Sequence, residues 1–289
     1  MSPERSRILI SIGLFLILIS LLASGCSPPA APELKVVTCT TLISQIVRRV
    51  GSGKIDVVNI IPPDKNPADF NIKQEDIREL TAADLFIYDT RLEDKFPPEL
   101  IESAGNLGLN IARVELSGNW LIPSIQLEAV DKVTEILIQV DGKNSSVYEN
   151  GAANYRKKIK DKQALIEFRL EDFQQVTGKV FKRTNVICAE ASVEFVEWMG
   201  FNIFATYARP DSLTPNRVKE LVDGGREAQV RYVMDNLQTG KHAGEGIAET
   251  LDILGVTLSN FPGGFNNTDT WEQTIDRNIG LVLGAESPH

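Results

Sequence analysis

One charged stretch, 145–178 (SSVYENGAANYRKKIKDKQALIEFRLEDFQQVTG), divides a chain that otherwise alternates short β-branched runs with amphipathic ones. Tyr155, Ile159, Leu165, Phe168, Leu170 and Phe173 recur within it at roughly helical spacing. With Gly151 early and Gly178 at its end, the pattern predicts one uninterrupted helix of roughly seven turns at 3.6 residues per turn. A helix of that length can bridge two lobes as a rigid strut, one on either side of it.

The first unit reads as strand Lys35–Cys39, then a helix opened by Thr40-Thr41 with Leu42, Ile43, Ile46, Val47 and Val50 on one face. Strands follow at Ile55–Ile61, Leu85–Tyr88 and Leu109–Val114, separated by helices near Lys73–Leu80 and Pro98–Ala104. In the second unit, strands at Asn185–Cys188, Asn202–Ala205, Arg231–Met234 and Val256–Leu258 alternate with helices near Ser192–Met199, Thr214–Val222, Lys241–Leu254 and Thr270–Leu283. Thr214-Pro215 supplies a capping hydroxyl before an N1 proline, and Gly240 or Thr239 is placed to cap the next helix. Strands alternating with helices imply parallel sheets covered on both faces. The expected fold is α/β: two lobes at 35–144 and 179–289, joined by the helix 145–178. Open parallel sheets place ligands at the C-terminal ends of their strands, so the cleft between lobes is the expected site.

The N-terminus sets the compartment. Arg5 and Arg7 precede the apolar run Ile8–Ala23, which has the length of a signal-peptide core, and Ala23-Ser24-Gly25-Cys26 forms a lipobox. Residues 1–25 are expected to be a lipoprotein signal, Cys26 the lipidated residue, and 26–34, with SPPAAPE, an extended tether. The alternatives are an ordinary cleaved signal or an anchor helix. Two acyl chains suffice for stable anchoring, so the expected location is extracytoplasmic. Net charge is −9 over the whole chain, and −10 without residues 1–25, whose Glu4, Arg5 and Arg7 sum to +1. An acidic chain without a Lys/Arg cluster is no nucleic-acid binder. Enzyme classes also lack their signatures: no Gly-x-Ser-x-Gly, no phosphate-cradling loop, no histidine beside a nucleophile.

The segments VVTCTTLISQIVRRVGSGKIDVVNIIPP, PADFNIKQEDIRELTAADLFIYDTRLED, NWLIP followed by a helix, YENGAANYRKKI, VICAEASVEFVEWMGF, RPDSLTPNRVKELV and TDTWEQTIDRNI carry a resemblance through their order and spacing. Over nearly the whole mature chain the sequence resembles solute-binding lipoproteins of zinc/manganese-type ABC importers, the TroA-like or cluster A-I group. The resemblance implies two lobes on one long helix, a rather rigid cleft, a divalent metal as cargo, and an ABC permease with its ATPase as partners.

That group holds its metal with histidines and carboxylates, and here the histidines are missing. The first ligand position, two before Phe70, is Ala68, or Asp69 with a one-residue displacement. The second, two before Trp120, is Gly118. The third corresponds to Glu190, and the fourth, loosely, to Asn260. His242 and His289 fall elsewhere. Asp69 and Glu190 therefore remain as hard ligands, one per lobe, with zinc or manganese as the expected cargo; zinc prefers imidazole and thiolate, whereas manganese, magnesium and calcium accept carboxylates, amides and water. Each also has an ordinary reading: a solvated loop carboxylate for Asp69 and a helix-terminus acid for Glu190. Cys39 and Cys188 end the leading strands and are candidates for a soft site, although burial as small hydrophobes is the favoured reading. Arg91 and Arg209, both following strands, form a candidate clamp for an organic anion or metal chelate, assisted by Asn119, Trp120 or Tyr207. Against that stands the reading in which each arginine makes an ordinary salt bridge. Three functions follow: a receptor for a metal cation, a receptor for a chelate or organic anion, and a non-transport adhesion or assembly lipoprotein.

Overall fold

A computed structural model describes residues 34–96, 98–177 and 184–284. The lipobox, Cys26, the tether up to residue 33, Gly178 and His289 lie outside the described residues. Eight strands form two four-stranded sheets, each wholly parallel, in the orders β2-β1-β3-β4 and β6-β5-β7-β8. In the first, β1 (Leu34–Thr38) lies between β2 (Ile55–Asn59) and β3 (Leu85–Asp89), with β4 (Asn110–Val114) at the edge. Val37 pairs with Val58 on one side and Phe86 on the other. The inner strand β3, LFIYD, is buried throughout, as a parallel sheet covered on both faces requires.

The helices of this half are α1 (Thr41–Gly51), α2 (Gln74–Thr81), α3 (Pro98–Glu102) and α4 (Pro123–Val140). Leu42, Ile43, Ile46, Val47 and Val50 are all buried on the inner face of α1, as their spacing predicts. α4 turns back through Gly142–Asn144 into α5, Ser145–Thr177, so the strut is one arm of a helical hairpin. Asp141 Oδ2 fixes that turn by accepting from Asn144 Nδ2 at 2.8 Å and from the Tyr148 hydroxyl at 2.6 Å. α5 has 33 residues, about nine turns and two more than the sequence suggests. It runs without a break through Gly151.

The second half holds β5 (Asn185–Ala189), α6 (Val193–Trp198), β6 (Asn202–Tyr207), α7 (Pro215–Glu227), β7 (Tyr232–Asn236), α8 (Glu245–Leu251), β8 (Leu254–Leu258) and α9 (Trp271–Gly284). The Thr214 side chain accepts from the Arg217 backbone N–H at 3.3 Å, the expected cap before an N1 proline. The helix expected at Lys241–Leu254 is shorter at both ends. Leu237–Gly240 forms its own helical turn, capped by Asn236, and Asp252 in the left-handed conformation ends α8 before β8 begins at Leu254.

The halves share one interior. A single apolar cluster runs from Val36, Phe86 and Trp120 through Tyr155 and Ile159 of α5 to Val186, Trp271 and Ile279. A smaller cluster with Ile187, Tyr207, Leu221, Val233 and Ile247 lies on one face of the second sheet. The described residues of both halves accordingly form one compact unit.

Candidate functional site

The strand ends of both sheets open on a cavity of about 610 Å³. The first half contributes Thr40, Asp89, Arg91, Gly118, Asn119 and Trp120, and the loop Asn66–Ala68. The second contributes Glu190, Ala191, Glu194, Asn260 and Phe261. Glu190 opens a 3-10 turn directly after β5, and Glu194 follows one turn later in α6, so both carboxylates stand on the same wall. Among the described residues, three carboxylates and one guanidinium are the charged groups that line the cavity.

Arg91 is held more firmly than a loop arginine. Its Nε lies 3.0 Å from both Asp89 oxygens, its Nη2 donates to Asp89 Oδ2 at 2.5 Å, and its Nη1 donates to the Gly118 carbonyl at 3.2 Å. Asp89 Oδ1 also accepts from the Arg91 backbone N–H at 2.9 Å, and the guanidinium carbon stands 6.0 Å from the centre of the Trp120 ring. Burial opposes the charge of Arg91, but its bonds to Asp89 and the nearby Glu194 carboxylate outweigh that and raise its pKa.

Across the cavity, Asn119 Nδ2 donates to Asn260 Oδ1 at 3.1 Å. Asn260 Nδ2 in turn donates to the Ala191 carbonyl at 2.7 Å, and its backbone N–H donates to Gln238 Oε1 at 3.0 Å. Gln238 Nε2 reaches the Pro63 carbonyl at 2.7 Å, a second link between the halves. Trp271 Nε1 donates to the Trp120 carbonyl at 3.0 Å behind the cavity wall.

Of the candidate residues, Arg91, Asn119, Trp120, Glu190 and Asn260 come together, along with Ala68 and Gly118. The others do not. Asp69 is turned away to an ion pair with Arg209, at 2.9 Å, and accepts from Asn66 Nδ2. Arg91 and Arg209 each serve an aspartate, so the anion clamp is replaced by two salt bridges. Tyr207 is buried in the second sheet, where its hydroxyl donates to Asp235; burial and that carboxylate push its pKa far up. His242 lines a different cavity, bounded by Asp235, Glu245 and Arg277.

Cys39 and Cys188 are fully buried, not cleft-facing, and are free thiols. Cys39 Sγ accepts from the Asp89 backbone N–H at 3.4 Å. Burial pushes both thiols up to about 12. A thiol reagent at pH 8 is therefore expected to leave both unmodified in the folded chain and to modify both once it is denatured. Rapid modification under native conditions would contradict this placement.

Two charged cavity residues escaped the sequence reading, Asp89 and Glu194. The strand ending at Tyr88 in sequence runs one residue further, and Asp89 two before Arg91 was the available signal. Among the described residues no three His, Cys, Asp or Glu side chains are grouped closely enough to hold a metal by themselves.

A family model described as zinc-uptake complex component A, periplasmic (ZnuA), matches residues 36–282. The chain belongs to the ZnuA family. Among curated ZnuA-like relatives, the metal ABC transporter substrate-binding lipoprotein FimA of Streptococcus parasanguinis is 28% identical over 159 residues, 47% of this chain and 52% of that relative. The iron-binding protein YfeA of Yersinia pestis is 28% identical over 183 residues, 57% of this chain and 59% of that protein. The matched part thus spans little more than half of these relatives. Solved ZnuA-like folds include a Cd-bound periplasmic metal-binding protein from Candidatus Liberibacter asiaticus, with a TM-score of 0.71 at 12% identity over 87% of this chain and 99% of that one. A crystal structure of ZnuA superposes with a TM-score of 0.71 at 13% identity, over 88% of this chain and 99% of that one. At such identities the likeness establishes the fold.

Proposed function

We propose that this ZnuA-family chain is the extracytoplasmic solute-binding component of a metal-type ABC importer, capturing a divalent cation in the inter-lobe cavity and handing it to a permease and its ATPase. The observation that carries the reading is the charge of the cavity wall: among the described residues Asp89, Glu190 and Glu194 stand against Arg91, a formal excess of two negative charges. Membrane attachment rests on Cys26 and the lipobox. No described helix is long and apolar enough to cross a membrane.

Among the described residues the donors on this wall are carboxylate and amide oxygens, with no imidazole or thiolate. Such a set suits manganese, magnesium or calcium, with water completing the shell, and suits zinc poorly. Glu190 is the proposed anchor, with Glu194 and the Asn260 amide beside it. Asp69, paired to Arg209, drops out as a donor.

The test is thermal unfolding of the metal-stripped chain against rising Mn²⁺. Binding to the folded state alone stabilises by RT ln(1 + [L]/Kd), or about 2.7 kcal/mol at a hundredfold excess over Kd. The wild type is expected to be stabilised, Glu190→Ala to lose most of the gain, and Asp69→Ala to keep it. No stabilisation of the wild type by Mn²⁺ would defeat the reading.

A further inference from the structure

We propose that Arg91 is a specificity-determining residue: its tethered guanidinium holds the cation subsite of the cleft from inside the chain, so a divalent ion gains Asp89 as a donor only by displacing it. The inference rests on the reading of the cargo as a cation and says what limits it.

The geometry is that of a bound cation. A two-oxygen carboxylate, a backbone carbonyl and an aromatic face, at Asp89, Gly118 and Trp120, all converge on one guanidinium. Asp89 is only 6% exposed and is the strongest of the three cavity carboxylates, since it sits where water screens least. In the described structure both its oxygens are occupied: Oδ1 by Nε and the backbone N–H of Arg91, Oδ2 by Nε and Nη2. Glu190 and Glu194 are exposed and weaker attractors on their own.

Two consequences follow. Because arginine stays protonated at any physiological pH, the internal cation does not switch off by titration; only geometry can release it. Cargo affinity then reports a competition between a fixed single charge with fork-shaped donors and a mobile double charge with a small radius. A cleft built this way retains ions weakly and favours those content with carboxylate and water.

The test is calorimetric titration of MnCl₂ into the full metal-stripped chain in detergent, at fixed ionic strength. Arg91→Gln is expected to bind Mn²⁺ at least tenfold more tightly than the wild type and to gain more thermal stabilisation from it. The double variant Asp89→Asn/Arg91→Gln is expected to lose that gain. If Arg91→Gln does not fold, Arg91→Lys carries the test, because an ammonium keeps the charge but lacks the fork that grips Asp89 and Gly118 together; a smaller gain is expected. Equal Mn²⁺ affinity in wild type and variant overturns the inference while leaving the cation reading standing. A gain that persists in the double variant also overturns it, since it would then reflect only the loss of a positive charge. No Mn²⁺ uptake by any folded variant overturns the cation reading itself.

Discussion

Gly151→Ala is expected to destabilise the protein by about 2–3 kcal/mol, the upper part of the range for overpacking. On helix propensity alone the sign would be opposite, since alanine in a helix interior is favoured over glycine by about 1 kcal/mol. Contact decides against propensity. A Cβ at Gly151 would stand 2.2 Å from the Val50 carbonyl oxygen and 2.9 Å from its carbon, with the Arg49 oxygen at 3.0 Å. These are backbone atoms at the C-terminal end of α1, and no rotamer relieves them. α5 therefore rests on α1 through a glycine, and any side chain there pries the strut off α1. At roughly 2–4 °C per kcal/mol for a domain of this size, the melting temperature should fall by about 5–10 °C. A variant as stable as the wild type would mean the two helices do not approach as described.

Trp271→Ala is expected to cost about 3–5 kcal/mol, the usual range for removing a large buried aromatic. Trp271 is fully buried at the start of α9, in the interior shared by both halves. Its ring N–H satisfies the Trp120 carbonyl, and its backbone N–H donates to Gln45 Oε1 at 2.5 Å. Alanine keeps the second bond and loses the first, leaving a buried carbonyl unpaired for about 1–3 kcal/mol of that total. Because Trp120 is also a wall of the cavity, the variant should weaken cargo binding as well as lower the melting temperature. Trp271→Phe should recover much of the stability lost to the cavity but not the hydrogen bond. A mild effect of alanine, under 1 kcal/mol in urea unfolding, would contradict a shared interior.

The architecture was legible because its signals are periodic. β-Branched runs of about five residues, separated by amphipathic helices, leave little choice but parallel sheets, and the charged 145–178 stretch has no partner pattern except a long helix. α4 is different. Buried Ala129, Val130, Val133 and Leu137 are interleaved with partly buried Leu127, Ile136 and Ile138, so apolar residues surround the helix and blur its stripe. Only the family resemblance indicated it.

The cavity was half legible, for a related reason. Residues that follow strands, such as Arg91 and Glu190, can be placed by element order alone. Which way a side chain turns depends on partners far away in sequence. Asn119 meets Asn260 at a separation of 141 residues, and Asp69 meets Arg209 at 140. Nothing local distinguishes Asp69, drawn outward by Arg209, from Glu190, left facing the cavity. The cysteines show the same limit: Cys188 sits within β5, where strand alternation turns it into the core, and Cys39 is enclosed beneath the Asp89 backbone.

A cation bound between the lobes by carboxylate oxygens is the core of the proposed function. Its most direct test is anomalous diffraction at the manganese edge from crystals of the metal-stripped chain soaked in MnCl₂. One strong peak is expected in the cavity, within coordination distance of Glu190 and lost in Glu190→Ala. A cavity without anomalous signal, at a concentration that fills ordinary surface sites, would contradict it.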